Sequence, residues 1–470
     1  MIKIDNDIAQ LKNRVIKGIS VLLVREMLLK VIAVAGQLVL VRILSPDFFG
    51  IYAIIAFIVS FAGFATNLGV STAIIQKKEK LSISQTSSLF VLLEILSIVA
   101  VAIIYLLTPF FASLYPVLQN ENFYYLPLFS LSLLFMPLQT ILMSLLDKEL
   151  RYDAIAKIDS VGIVVYYAVV LILALSGFNV LSFIYAVLAK EFAELVACLY
   201  FKRIKIKIMF RFGDVKSILT YGFSIQIGGA ILLLHNSLIP LLGGRLFGVI
   251  PVGYLYWSKN ISSLPNTVLD NYGRAAFAGI ARIQDRTELV SKAINKSIQF
   301  LNIAIFFFAL LLVSFTSDFI HFIATDKWLP AQNVLQWFLL GSLFSGVITA
   351  LGQGLVAIGK AKELTTLSAI LVLFEFILAF ILIYYFGFVG ISIAFFFHAI
   401  LQFISYSFLA RINKISLLFL RSFMNSILIF IFCYLLAQIL NFMMPANLLS
   451  YISKLVIIST IYLFIYHALS

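Results

Sequence analysis

The stretch FFGIYAIIAFIVSFAGFATNLGVSTAIIQKKEK, Phe48 to Lys80, decides what kind of fold this chain adopts. It contains no charged residue from Phe48 to Gln76 and then ends in a basic cluster. An α-helix rises 1.5 Å per residue, so about 20 apolar residues cross a hydrocarbon core about 30 Å thick. Because backbone polar groups in lipid must be satisfied within their own segment, the run predicts a transmembrane helix followed by a turn in water.

The rest of the chain repeats this pattern to its C-terminus. The 470 residues are 62% hydrophobic and 12% charged, whereas soluble domains are about 45–50% apolar and about 25% charged. The composition therefore predicts an all-α polytopic membrane protein and argues against a soluble enzyme. The net charge of +13 does not indicate a nucleic-acid partner, because in a membrane protein the distribution of basic residues matters more than their sum.

The basic residues predict the topology. Twenty-five of the 34 Lys and Arg fall in the N-terminal segment and in alternate connections, which the positive-inside rule places in the cytoplasm. The first segment lacks the short apolar region and cleavage site of a signal peptide, so we expect both termini in the cytoplasm of a bacterial inner membrane. Fourteen spans are predicted near residues 18–43, 48–76, 85–109, 123–146, 156–176, 179–201, 217–245, 250–281, 297–317, 332–358, 364–386, 389–410, 417–441 and 448–467.

A weak internal repeat suggests two lobes of six helices. RILSPDFFGIYAI after the first span aligns with RLFGVIPVGYLYW after the seventh, pairing Arg42 with Arg245 and Gly50 with Gly253. Transporters built from such repeats place their binding site between them. The predicted division is an N-terminal lobe at 1–205, a basic cytoplasmic linker at 206–216, a C-terminal lobe at 217–411 and two additional transmembrane helices at 412–470.

The predicted eighth span carries a polar stripe. If residues 250–281 form one helix, Lys259, Ser263, Asn266, Asp270 and Arg274 lie within about 80° of one another at 100° per residue. Its three ionisable side chains would cost roughly 8 to 10 kcal/mol facing lipid, so the stripe is expected to face protein or water. The central proline removes a backbone hydrogen bond and predicts a bend.

A second stripe on the first span and polar groups on two further spans complete a candidate site. We predict a cavity between the two halves, formed by spans 1, 2, 7 and 8. The alternative is that these groups are structural pairs between packed helices. The candidate cavity residues are Arg25, Glu26, Lys30, Gln37, Asn67, His235, Asn236, Lys259, Asn266, Asp270 and Arg274.

Other polar residues inside apolar runs have open interpretations. Glu94 and Glu375 are isolated acids that could carry a proton or a cation, or form a hydrogen bond with a neighbouring helix. His398 and Gln402 form an i, i+4 pair of unknown purpose.

Motifs for cofactors and catalysis are weak. GLVAIGKA, Gly354 to Ala361, resembles a phosphate-binding loop but lacks its Ser/Thr and ends an apolar span. Cys198 and Cys433 lie in apolar runs and indicate buried side chains. Lys190 and Glu194 have the spacing of a neutralising structural pair. We therefore predict no catalytic residue, no cofactor and no metal site.

Three motifs carry a resemblance to a known family: RILSPDFFGIYAI at Arg42 to Ile54, NLGVSTAIIQKKE at Asn67 to Glu79 and DKELRYDAIAKID at Asp147 to Asp159. With them the chain resembles bacterial polysaccharide flippases of the Wzx kind. These belong to the MOP superfamily, which includes the lipid II flippase and the MATE multidrug antiporters. The likeness is clearest over the first 160 residues.

The resemblance implies a V-shaped pair of six-helix lobes that open alternately to either membrane face. It implies an undecaprenyl-diphosphate-linked oligosaccharide, such as a lipopolysaccharide O-antigen precursor, as substrate, with membrane lipids around it. H⁺ or Na⁺ as coupling ion and other polysaccharide-assembly proteins are further expected partners. The alternatives are an ion-coupled multidrug or cation antiporter of the same superfamily and a membrane polysaccharide polymerase or glycosyltransferase.

Overall fold

The computed structural model describes residues 29–77, 79–266, 269, 280, 282–284, 286–445 and 447–469. Within them the chain is helical and contains no β-strand, which confirms the predicted all-α class. Among the candidate cavity residues, Arg25, Glu26, Asp270 and Arg274 lie outside the described residues.

The chain divides into two compact units, residues 1–230 and 231–470. The boundary lies within one helix, so the four-part division predicted from sequence stays a prediction. In the first unit, the helices are α1 with residues 29–43 described, α2 at Pro46–Asn67, α3 at Val70–Gln76, α4 at Ile83–Leu114, α5 at Tyr125–Ser130, α6 at Met136–Lys148, α7 at Tyr152–Leu175, α8 at Val180–Phe201 and the start of α9 at Phe212–Leu238.

The predicted second span is two helices rather than one. Leu68 and Gly69 both have positive φ, 53° and 67°, which ends α2 and begins α3. A Cβ added at Gly69 would collide with the backbone carbonyl of Gly222 in α9, and one added at Gly222 would collide with the carbonyl of Leu68. Two backbone segments therefore meet where only glycine fits.

Non-helical residues 202–211 connect α8 to α9 along the start of α4. The amides of Lys207 and Arg211 donate to the hydroxyls of Ser87 and Ser88 at 2.9 and 3.0 Å. Helix α9 begins at Phe212, so residues 212–216 of the predicted linker are helical.

In the second unit, α9 passes through a π-helical turn at Ile239–Gly243. The other helices are α10 at Gly244–Phe247, α11 at Val249–Ser262, α12 at Thr287–Ser314, α13 at Thr316–Phe319, α14 at Gln332–Ser342, α15 at Ser345–Ala357, α16 at Ala361–Phe386, α17 at Val389–Ile412, α18 at Phe419–Met443 and α19 at Leu448–Leu469.

Helix α11 ends at Ser262, so the single helix predicted for 250–281 is wrong. Ser263 to Pro265 form a turn in which the amide of Leu264 bonds the carbonyl of Ile261. Proline lacks an N–H and cannot bond the carbonyl four residues earlier, which explains the interruption. Asn266 is helical again, beyond the break.

Polar contacts tie the last two helices to α12. The Asn295 side chain donates to Ser416 and accepts from the backbone amide of Phe419 at 2.5 Å. Farther along α12, the carbonyls of Ile303 and Ser314 accept from the side chains of α19 and α18. These two bonds come from Tyr462 and Asn441 at 3.2 and 3.1 Å. The predicted additional helices are thus packed into the second unit.

Eleven helical segments of the described residues are long and apolar enough to cross a membrane. They correspond to the predicted spans two to five, seven and nine to fourteen. Helix α8 coincides with the predicted sixth span but carries Lys190, Glu191 and Glu194 within it. The protein is a multi-pass membrane protein, as its composition predicts.

Candidate functional site

A polar cavity of about 340 Å³ lies inside the second unit, in the size range of small-molecule sites. Its walls come from α9, α11, α14, α15 and α17 and from the turn after α11. Phe338, Phe395 and Phe396 supply aromatic surface, while its polar lining consists of His235, Lys259, Ser262, Ser263, Asn266, Ser342, Ser345, Thr349, His398 and Gln402.

Lys259 places a positive charge in this cavity. Its Nζ donates to Asn236 Oδ1 at 3.0 Å and lies 4.0 Å from the centroid of the Phe395 ring. No carboxylate of the described residues is within ion-pairing distance of that nitrogen. Because an amide oxygen and a ring face do not neutralise an ammonium group, Lys259 can still bind an anionic group, and the Glu375 carboxylate lies close enough to act on its charge.

A buried carboxylate lies behind this wall. Glu375 on α16 is fully buried, and its Oε2 lies 2.7 Å from Nδ1 of His235 on α9 and 3.1 Å from Nδ1 of His398 on α17. The two imidazole centroids are 4.8 Å apart, and the His235 ring packs edge-on against Phe395. Three helices therefore bring one acid and two histidines into a single cluster.

The structure brings four candidate residues together. His235, Lys259 and Asn266 line the cavity, although Asn266 lies beyond the break that follows α11. Asn236 accepts a hydrogen bond from Lys259. Lys30, Gln37 and Asn67 lie in the first unit, on α1 and at the end of α2. The larger cavity predicted between the two halves stays a prediction.

Sequence reasoning missed the clustering of Glu375, His398 and Gln402 with this site. Each was noted as a polar residue in an apolar run, but a single sequence does not say which helices are neighbours. The sequence did contain one indication of this cluster, namely Glu375 itself, because an acid within a membrane span requires a polar partner or water.

A second polar cluster lies in the first unit. Lys190 contacts Glu191 at 2.9 Å and Glu194 at 3.2 Å, and Gln139 on α6 donates to Glu194 at 2.6 Å. Lys190 and Glu191 also line a cavity of about 400 Å³. The predicted Lys190–Glu194 pair is therefore present, within a cluster of one basic and two acidic side chains.

Comparison with known proteins identifies the family to which this chain belongs. A family model described as polysaccharide biosynthesis protein matches residues 39–333, more than half of the chain. The chain belongs to that family. The match covers the break between α2 and α3, the whole of α9 and the Lys259 side of the cavity.

Two relatives of this chain confirm the resemblance to Wzx-type proteins. An uncharacterized membrane protein in the cps region of Klebsiella pneumoniae is 25% identical over 420 residues, 85% of this chain and 83% of the relative. The lipopolysaccharide biosynthesis protein WzxC of Escherichia coli (strain K12) is 24% identical over 353 residues, 74% of this chain and 70% of that protein.

Solved structures confirm the MOP-superfamily fold. Lipid II flippase MurJ in an inward closed conformation matches with a TM-score of 0.75 and 14% identity, over 96% of this chain and 98% of that one. An inward-facing MATE multidrug resistance transporter of the MOP superfamily matches with a TM-score of 0.62 and 15% identity, over 82% and 94%. At these identities the likeness concerns the fold.

Proposed function

We propose that this protein is a flippase that moves an undecaprenyl-diphosphate-linked oligosaccharide from the cytoplasmic to the outer leaflet by alternating access, for export of a surface polysaccharide. The family match, the Escherichia coli relative named for lipopolysaccharide biosynthesis and the transporter fold support this proposal. The observation that carries it is Lys259, a cation held in a polar cavity within a membrane protein.

The chemistry of the substrate matches that of the cavity. A diphosphate is anionic, and Lys259 offers an ammonium group for charge-assisted hydrogen bonds, which contribute about 1.5–3 kcal/mol each. Sugar hydroxyls both donate and accept, as do the side chains of Asn266, Gln402 and Thr349 on the wall. The polyprenyl tail remains in lipid, so the cavity needs to receive only the polar part. Arg274 is proposed as a second basic partner.

We further propose that the protein lies in the bacterial inner membrane with both termini in the cytoplasm. In this proposal an H⁺ or Na⁺ gradient or the membrane potential drives transport rather than ATP, and the protein works beside other polysaccharide-assembly proteins. The sequence GLVAIGKA resembles a phosphate-binding loop but does not indicate ATP binding. Its first residues, Gly354 to Ala357, belong to apolar α15 rather than to a loop after a soluble strand.

The test compares Lys259→Ala, Arg274→Ala and Lys259→Arg in cells that depend on this protein for surface polysaccharide. We expect each alanine variant to reduce export at least tenfold and to cause lipid-linked precursor to accumulate, whereas Lys259→Arg retains part of the activity because it keeps the charge. Lys292→Ala is the matched control, since Lys292 forms an exposed pair with Glu288. Normal export by both alanine variants at normal membrane levels would refute the proposed diphosphate role.

A multidrug or cation antiporter is the second candidate, and buried Glu375 favours it. Such antiporters need an acid that exchanges an ion, and this carboxylate lies at the wall of the cavity. Drug resistance on expression, with no change in polysaccharide, would support this function over the flippase.

A further inference from the structure

We propose that His235, Glu375 and His398 form a binding site for a divalent transition-metal ion of the zinc class. Their ligand atoms all lie within 4.8 Å of one another, and each comes from a different helix. This revises the prediction from sequence that the chain has no metal site. Imidazole nitrogen together with a carboxylate is a donor set that zinc uses in proteins.

Two buried polar atoms of this cluster have no hydrogen-bond partner among the described residues. One of them is His398 Nδ1. In one tautomer of the neutral imidazole this nitrogen carries a lone pair that can bind a metal ion.

His398 Nδ1 faces the Glu375 carboxylate. It lies 3.1 Å from Glu375 Oε2, in a buried site. Glu375 Oε1 is also buried and has no hydrogen-bond partner among the described residues. Unpartnered buried acceptors are costly, about 1–3 kcal/mol each, and a cation between these atoms would satisfy them together.

The geometry suits a four-coordinate ion. Zinc bonds of about 2.0–2.1 Å in a tetrahedral arrangement place neighbouring ligand atoms about 3.3 Å apart. His235 and His398 Nδ1 lie 2.7 and 3.1 Å from Glu375 Oε2, and all the ligand atoms lie within 4.8 Å of one another, so side-chain movements that bring the farthest pair closer would place them around one ion.

Nitrogen donors select the class of ion. Ca²⁺ and Mg²⁺ take oxygen ligands, whereas two imidazoles and one carboxylate suit zinc and its first-row neighbours. With three protein ligands, a fourth position stays open, and His235 and His398 both line the cavity. A phosphate oxygen could occupy that position beside Lys259; this role rests on the proposed function, while metal binding does not.

The experiment uses the purified full-length protein in detergent, freed of metal with a chelator and titrated with Co²⁺, whose visible absorption reports tetrahedral coordination. We expect one Co²⁺ per chain, displaced by Zn²⁺. His398→Gln and Glu375→Gln should each weaken the apparent Kd at least tenfold. Size-exclusion chromatography establishes that each variant is folded, and the wild-type spectrum decides the question even where a variant is not.

His321→Gln is the control, because His321 lies with Asp326 in an exposed pair that could bind metal adventitiously. This variant should retain the tetrahedral Co²⁺ spectrum and its affinity. The proposal is overturned if the wild type shows no tetrahedral Co²⁺, in which case a shared proton is the occupant, or if only His321→Gln removes binding. Export measured on the same variants tests the flippase separately.

Discussion

At the residue scale, two polar side chains within helices have opposite relations to their surroundings. Lys259 ends at an amide oxygen and a ring face, so it retains capacity for a ligand. Asn295 instead uses its amide fully, on Ser291, Ser416 and the first amide of α18. A polar residue in an apolar run can therefore belong to a binding site or form a structural hydrogen bond between helices. Its hydrogen-bond partners in the structure distinguish the two roles.

Asn295→Ala is expected to destabilise the second unit. The substitution removes the bond to the amide of Phe419 and leaves buried groups without partners, at a cost of about 1–3 kcal/mol each. Thermal unfolding in detergent should show a clear fall in midpoint. Lys292→Ala, exposed on the same helix, should leave the midpoint within error; an equal fall in both variants would contradict the role of Asn295.

Residue-level prediction from the sequence was incomplete for a physical reason. Lys259 and His235 were recognisable because charged or polar atoms inside a span demand protein or water around them. Glu375 gave the same signal, but its partners His235 and His398 are 140 and 23 positions away along the chain. Only the packing of three helices makes them neighbours.

At the element scale, hydropathy located the spans but not their interruptions. Apolar length is enough to predict a helix that crosses lipid, and the corresponding helices are present in the described residues. The breaks at Leu68, near Pro265 and within the π-helical turn of α9 depend on local backbone chemistry and tertiary contacts. Pro265 predicted the break that follows α11, whereas Leu68 is not a residue type that indicates positive φ.

Gly222→Ala is expected to destabilise the first unit by about 1–3 kcal/mol, because its Cβ would meet the backbone carbonyl of Leu68, which cannot move aside as a side chain can. Unfolding in detergent measures the change. Gly228→Ala, six positions later on α9, has no described atom within 4 Å of the added Cβ. It should stabilise the helix by about 0.5–1 kcal/mol. Equal effects of the two substitutions would argue against the close backbone approach.

At the scale of the whole molecule, composition alone predicted the class, because an apolar content of 62% is well above the about 45–50% of soluble domains. The unequal distribution of Lys and Arg between alternate connections predicted the orientation of the protein in the membrane. That orientation depends on the lipid and the insertion machinery rather than on contacts within the protein. Lys454, near the start of α19, donates to Asp318, which follows the end of α12, at 3.2 Å, so these two helix ends lie at the same level of the second unit. That pair agrees with the proposed topology.

Cysteine labelling tests this orientation. Cys198 and Cys433 are both buried, so they contribute little background, and alanine at both positions removes it. A membrane-impermeant maleimide should label Lys327→Cys in cells with an intact inner membrane. Lys205→Cys should react only after that membrane is permeabilised. Labelling with the reverse pattern would place the non-helical connection of residues 202–211 outside and reject the proposed direction of transport.

The bonds between α12 and the last two helices also set an order of events during biosynthesis. Helix α12 is synthesised well before α18 and α19. Until those helices are present, Asn295 and the carbonyls of Ile303 and Ser314 lack the hydrogen-bond donors that they have in the folded unit. These bonds of the second unit are consequently completed only after α18 and α19 have been translated. A nonsense codon following Ile412 should yield a product that quality-control proteases remove, even though the cavity residues up to Gln402 have already been synthesised.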